Sequence, residues 1–155
     1  MLAISAAGLL VVMLRLFVVH AYTVSGDSMP GAATDGDHVV VNALSYVLNG
    51  PGRGDVVVID SPRPGVQQVL MKRVIAISGE VVEVRGCTVL IDGEPLSEPY
   101  RATSADPSCG ASMPATTVGQ HEIFVLGDAR DRSDDSRYFG MVSIDSLAGR
   151  VLFAI

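Results

Sequence analysis

"VLMKRVIAISGEVVEVRGCTVLIDGE", residues 69 to 94, sets the fold class. Three runs rich in Val and Ile are bounded by Ser, Gly and Asp, the composition of strands and their connections. Arg85-Gly86 and Asp92-Gly93 stand where tight hairpin turns form. The same pattern extends in both directions: "LFVVHAYTV" (16–24), "HVVVN" (38–42) and "DVVVID" (55–60) come before, "HEIFVLGD" (121–128) and "RVLFAI" (150–155) after. After residue 20 the sequence holds no long stretch of helical period; "SIDSLAG" (143–149) has room for one helical turn. No internal repeat is present. The expected fold is mainly β, with coiled antiparallel sheets forming a partly open barrel.

The chain of 155 residues suffices for one domain with a core. Its first fourteen residues, "MLAISAAGLLVVML", carry no charged side chain, and Arg15 interrupts the apolar run. A spanning helix needs about 20 apolar residues, so the run is long enough only if Arg15 snorkels to an interface. A secretory signal peptide is the alternative, but no basic residue precedes the run, and its small residues come early rather than at its end. The expected organisation is a membrane-anchor helix over residues 1–15, followed by a β domain over 16–155. A net charge of −6 without a basic run excludes nucleic-acid binding through phosphate contacts. The three histidines are dispersed, and neither a metal site nor a cofactor is expected.

Residues 94–120, "EPLSEPYRATSADPSCGASMPATTVGQ", break the strand rhythm with four prolines and many small polar side chains. They read as a long loop insertion, and such loops in compact domains are usually functional or disordered. Cys109 lies inside it and Cys87 before it. Two buried thiols are one reading. A Cys87–Cys109 disulfide tying the loop to the sheet is the other, and it requires an oxidising compartment.

Three features resist a purely structural reading. Ser28, in "SGDSM" (25–29), is a hydroxyl that would need an adjacent base to act as a nucleophile. Lys72 is the only lysine in the chain and sits in a largely apolar strand. Burial strips a proton from lysine, whereas arginine, the other ten basic residues, stays protonated. Strand position alone also allows Lys72 to point to water. The third feature is "VLGDARDRSDDSRYFG" (125–140), with four aspartates and three arginines directly after an apolar strand. A solvated loop with weak surface ion pairs would look the same.

Together these stretches have an order. "SGDSM" with "GDHVVV" (36–41), "RGDVVVI" (53–59), "MKRVIAISGE" (71–80) and "GDARDRSDDSRYFGMV" (127–142) resemble the successive boxes of the bacterial type I signal peptidases. The resemblance runs from about Arg15 to Ile155, sparing 94–120. It implies a membrane-bound serine endopeptidase that cleaves signal peptides of secreted preproteins after Ala-x-Ala-like sites, on the extracytoplasmic face. It further implies that Ser28 is the nucleophile and Lys72 the general base. Ser133 would hydrogen-bond and orient the lysine, with Asp135 and Arg137 paired to brace the loop. The backbone of Ser28 would supply one oxyanion donor; where the family can have a second donor in a serine side chain, this chain has Gly26. Tyr22, Val24, Met29, Leu70 and Met71 would line shallow substrate pockets. Two departures stand out: Pro30 follows Met29 directly, and Ala129 and Arg132 replace the family's usual asparagines. Other readings are a specialised relative processing a single pilin-like substrate, a self-cleaving repressor domain, and an inactive peptide-binding homologue.

Overall fold

The structure, a computed structural model, describes residues 8, 19–47, 49–63, 65, 68–101 and 109–155. The expected anchor over residues 1–15 lies outside them except for Gly8. No helix among the described residues is long and apolar enough to cross a membrane.

Two antiparallel sheets carry the chain. The larger follows the order β1 (Val19–Thr23), β2 (His38–Asn42), β11 (Leu147–Ala154), β3 (Val56–Asp60), β4 (Val69–Ile77), β9 (Glu122–Leu126), β10 (Val142–Ser143). Its register shifts in β11 and β4, and such irregularities bend a strand and increase its twist. The sheet therefore curls, and it stays open between β1 and β10, as expected for a partly open barrel. The smaller sheet is β7 (Glu94–Pro95), β6 (Thr88–Ile91), β5 (Val81–Arg85), β8 (Met113–Thr117).

Alternation explains the core. Along β9, Phe124 and Leu126 enter one apolar cluster with Ile75, Val82, Val84 and Val89, joining the two sheets. Ile123 and Val125 enter a second cluster with Val57, Ile59 and Val74 on the other side. The central strands are thus buried on both faces and read as nearly continuous apolar runs.

Two sequence expectations need correction. Arg85 pairs with Thr88, so the β5–β6 turn is Gly86-Cys87 rather than Arg85-Gly86; Asp92-Gly93 does form the next turn, between Ile91 and Glu94. Asp92 and Gly93 both have positive φ, at 52° and 87°, the backbone of a hairpin turn twisted to match its strands. Residues 94–120 are not strandless, since they supply β7 and β8. β8 contains Pro114 and sits at a sheet edge, where a missing N–H is tolerated. A single turn of helix, α1 (Ser136–Phe139), and a 3-10 turn (Ile144–Ser146) complete the described elements.

Candidate active site

Lys72 lies in β4 opposite Val57 and is 3% exposed. Its Nζ is 2.9 Å from Ser28 Oγ and donates to Met71 O at 3.1 Å. Burial away from water pushes the amine below its ordinary lysine value; the carboxylates of Asp135, Asp134 and Asp128 oppose that shift without cancelling it.

Ser28 sits on the loop between β1 and β2, and backbone contacts fix that loop. Val24 N–H donates to Asp37 O at 2.8 Å, and the Ser28 carbonyl accepts from Ala129 N–H at 3.0 Å. Gly26, with φ of 91°, donates its N–H to Asp35 Oδ1 at 2.7 Å. That N–H is therefore engaged by a carboxylate. Met29 is buried and accepts from Asp128 N–H through Sδ at 3.4 Å. The departure at Pro30 has a local solution: Ala32 N–H donates to Met29 O at 2.9 Å, which puts Pro30 second in a four-residue turn. There its fixed φ is favoured and its missing N–H is not needed.

The loop after β9 closes the site. Asp135 accepts from Gly127 N–H at 3.1 Å and from Arg137 Nε and Nη2, each at 2.8 Å. Both side chains of this pair are fully buried. Arg137 also donates to Arg130 O at 2.8 Å and to Cys109 O at 2.5 Å. Cys109 forms a disulfide with Cys87. Ser133 is buried nearby, but its Oγ has no hydrogen-bond partner among the described residues; the expected bond to Lys72 is absent there. Ser133 instead packs against Gly127, where an added Cβ would overlap it and come 2.8 Å from Ser28 O. Only glycine lets these two segments approach.

Tyr22, Val24, Met29, Leu70 and Met71 converge with Ser28 and Lys72 around a cavity of about 40 Å³. That is room for a few waters or a small side chain. Val39 and Val58 also line it, with Thr23, Ser25, Gly26 and Val69; the sequence could not single out the two valines, because they are strand valines like any in the core. Sequence reasoning also missed Arg73, Asp128 and Arg130, which form buried pairs, and Glu98 and Tyr100, which meet them. Arg73 adjoins Lys72, and Asp128 and Arg130 stand in the charged loop, so a signal was present for these three. For Glu98 and Tyr100 there was none. Among the described residues no group of His, Cys, Asp and Glu is arranged to hold a metal ion.

The family model for signal peptidase, peptidase S26, matches residues 1–155. The chain belongs to this family. It is similar to the probable signal peptidase I-1 of Synechocystis, 34% identical over 93% of this chain and 74% of that protein. Signal peptidase I of Leptolyngbya laminosa is 35% identical over 96% of the chain and 76% of its own length. Signal peptidase IB of Staphylococcus aureus is 30% identical over 98% and 85%. Among solved structures, a signal peptidase I from Enterococcus faecalis superposes with a TM-score of 0.58 at 38% identity, covering 66% of this chain and 97% of that one. The curled, mainly β architecture is thus one this chain shares with the signal peptidases.

Proposed function

We propose that this signal peptidase removes N-terminal signal peptides from secreted preproteins after Ala-x-Ala-like sites, using Ser28 as nucleophile and Lys72 as general base. The observation that carries the roles is the 2.9 Å approach of a buried lysine amine to the Ser28 hydroxyl. A neutral Lys72 takes the Ser28 proton as Oγ attacks the scissile carbonyl. The tetrahedral intermediate collapses, the leaving amine takes the proton from Lys72, and an acyl-enzyme remains. Water, deprotonated by the same amine, then hydrolyses the ester and frees Ser28.

The small cavity supports a requirement for small residues next to the cut. Gly26 N–H is held by Asp35, which leaves the Ser28 backbone as the oxyanion donor carried over from the family. Ser133 packs against Gly127, and its unpartnered Oγ is the group to which the family resemblance gives the role of orienting Lys72. The uncharged run over residues 1–14 supports single-pass anchoring, and β1 begins at Val19, shortly before Ser28. The disulfide agrees with an extracytoplasmic domain.

Purified full-length protein in detergent, mixed with a signal-peptide-bearing precursor, tests the assignment. Ser28→Ala and Lys72→Arg should abolish cleavage, the first by removing the nucleophile and the second by fixing the charge. Ser25→Ala should be nearly silent. Substantial cleavage by folded Ser28→Ala protein would overturn the reading.

A further inference from the structure

The short segment Leu96–Arg101, inside the stretch that sequence reasoning left without a role, touches all three parts of the site. Leu96 and Tyr100 pack against the cluster that joins the two sheets. From there the Tyr100 ring lies under the Arg73 guanidinium, 4.1 Å from its centre. Arg73, directly after Lys72, is bidentate to Asp128 at 2.8 and 2.6 Å. Glu98 pairs with Arg130, both side chains at least nine-tenths buried, and it also accepts from Tyr100 Oη at 3.2 Å. Arg130 in turn donates to Gly127 O at 2.9 Å. The third contact is with the nucleophile loop: a Cβ on Gly31 would stand 3.0 Å from Tyr100 O and 3.3 Å from Asp128 Oδ2.

Such an arrangement is costly unless it positions something. Two buried arginines are held by one carboxylate each, and removing a partner from a buried pair is strongly unfavourable. The ring face of Tyr100 adds a cation–π contact to Arg73, strengthened by desolvation. The segment therefore spans the residue after the base, the turn after the nucleophile and the loop behind both.

We infer that Glu98 and Tyr100 are positioning residues for the Ser28–Lys72 reaction: they lock the Arg73–Asp128 pair and the loop at Gly127 so that the lysine amine stays aligned on Ser28. This rests on the proposed dyad. The charged groups acting on Lys72 are Asp128, Asp134 and Asp135 from the loop, with Arg73 beside it on β4. A loosened Arg73 leaves the Asp128 carboxylate less neutralised, and a displaced loop admits water to the amine. Both changes favour protonated Lys72, so both move its titration upward.

The chain has a single lysine, which makes a direct test possible. Lysine labelled with ¹³C at Cε gives one side-chain signal, and its pH titration reports Lys72 whether or not the protein turns over. In full-length Tyr100→Leu and Glu98→Gln, kcat for a precursor peptide should fall between about tenfold and a hundredfold. KM should change by less than about threefold, and the Lys72 midpoint should rise. Tyr100→Phe keeps the ring over Arg73 and should recover kcat to within about threefold of wild type, with an unshifted midpoint. Folded Tyr100→Leu and Glu98→Gln proteins with a wild-type Lys72 midpoint would overturn the inference, even if their melting temperatures fell. Should Tyr100→Leu fail to fold, Glu98→Gln against Tyr100→Phe decides by the same signal. A wild-type protein that cleaves no precursor would sink the dyad instead, and the Lys72 signal would still judge the segment.

Discussion

Asp134 and Asp135 are neighbours, each paired with an arginine, and the two pairs live in different worlds. The side chains of Asp135 and Arg137 are fully buried, and the pair makes six hydrogen bonds with the backbone and each other. Asp134 and Arg63 are about half exposed, joined by one contact of 2.7 Å across to the β3–β4 connection. Charge content is the same; dielectric surroundings are not. The buried pair ties Gly127, Arg130 and Cys109 together through their backbones, and the exposed pair makes a single side-chain contact.

The largest expected effect breaks the buried half. Asp135→Ala leaves Arg137 charged, buried and without its carboxylate, and strips Gly127 N–H of its acceptor. The loss should be about 3–5 kcal/mol of stability, with cleavage lost even where the protein stays folded. Chemical denaturation measures it, and a variant within about 1 kcal/mol of wild type would erase the contrast between the pairs.

Next in size is the disulfide, which fastens the buried pair from outside, because Arg137 donates to the Cys109 carbonyl. Cys87→Ser should cost about 2–4 kcal/mol while leaving cleavage intact well below the melting temperature. Two alkylatable thiols in protein taken from its own compartment would remove the bridge from the account.

What the sequence made legible follows the same division. The strands were readable because Val and Ile runs in β2, β3, β4 and β9 are buried on one or both faces, and burial is what selects those residues. β7 and β8 were not readable, since "EP" and "MPATT" are polar edge strands paired on one side only. Ser28 and Lys72 were found by oddity and resemblance, and they meet in space. The loop over 127–137 was recognisable as a motif, yet that Asp128 and Asp135 are the two buried among its four aspartates cannot be read from alternating charge. Ser133 shows the limit most clearly: the family resemblance implies a bond to the lysine, while in the structure it packs against Gly127 and its hydroxyl is unpartnered among the described residues. Glu98 and Tyr100 depend on long-range contacts that no local pattern encodes.

A smaller effect, of opposite sign, concerns Lys72, whose buried amine has no ion-pair partner among the described residues. Lys72 titrates below its ordinary value of 10.5 because it is desolvated. In the unfolded chain it keeps its proton to higher pH, so below the folded-state value folding carries the full penalty of burying the cation. The penalty shrinks as pH rises through the folded value and vanishes above 10.5. Lys72→Met should therefore abolish cleavage yet stabilise the protein by about 0.5–2 kcal/mol near neutral pH, with the gain fading under alkaline conditions. A destabilised variant would show that the amine's bonds to Ser28 Oγ and Met71 O outweigh its desolvation.

The smallest effect belongs to the exposed pair, and its value lies in direction rather than size. Arg63→Ala and Asp134→Asn should each change stability by less than about 1 kcal/mol, as exposed ion pairs do. Their influence on Lys72 should differ in sign. Asp134 favours the protonated amine, so Asp134→Asn lowers the lysine's titration and lets activity rise with pH from a lower starting point. Arg63→Ala unmasks the Asp134 carboxylate and moves the same limb of the pH profile upward. Because both side chains face water, raising salt from low to physiological strength should shrink the two displacements together, within a screening length of about 8 Å. The Asp135–Arg137 pair, sealed from counterions, should give no such salt response. Displacements of the same sign from both substitutions would mean that the loop moved rather than its field, and the exposed pair would then have to be counted with the buried one as a brace.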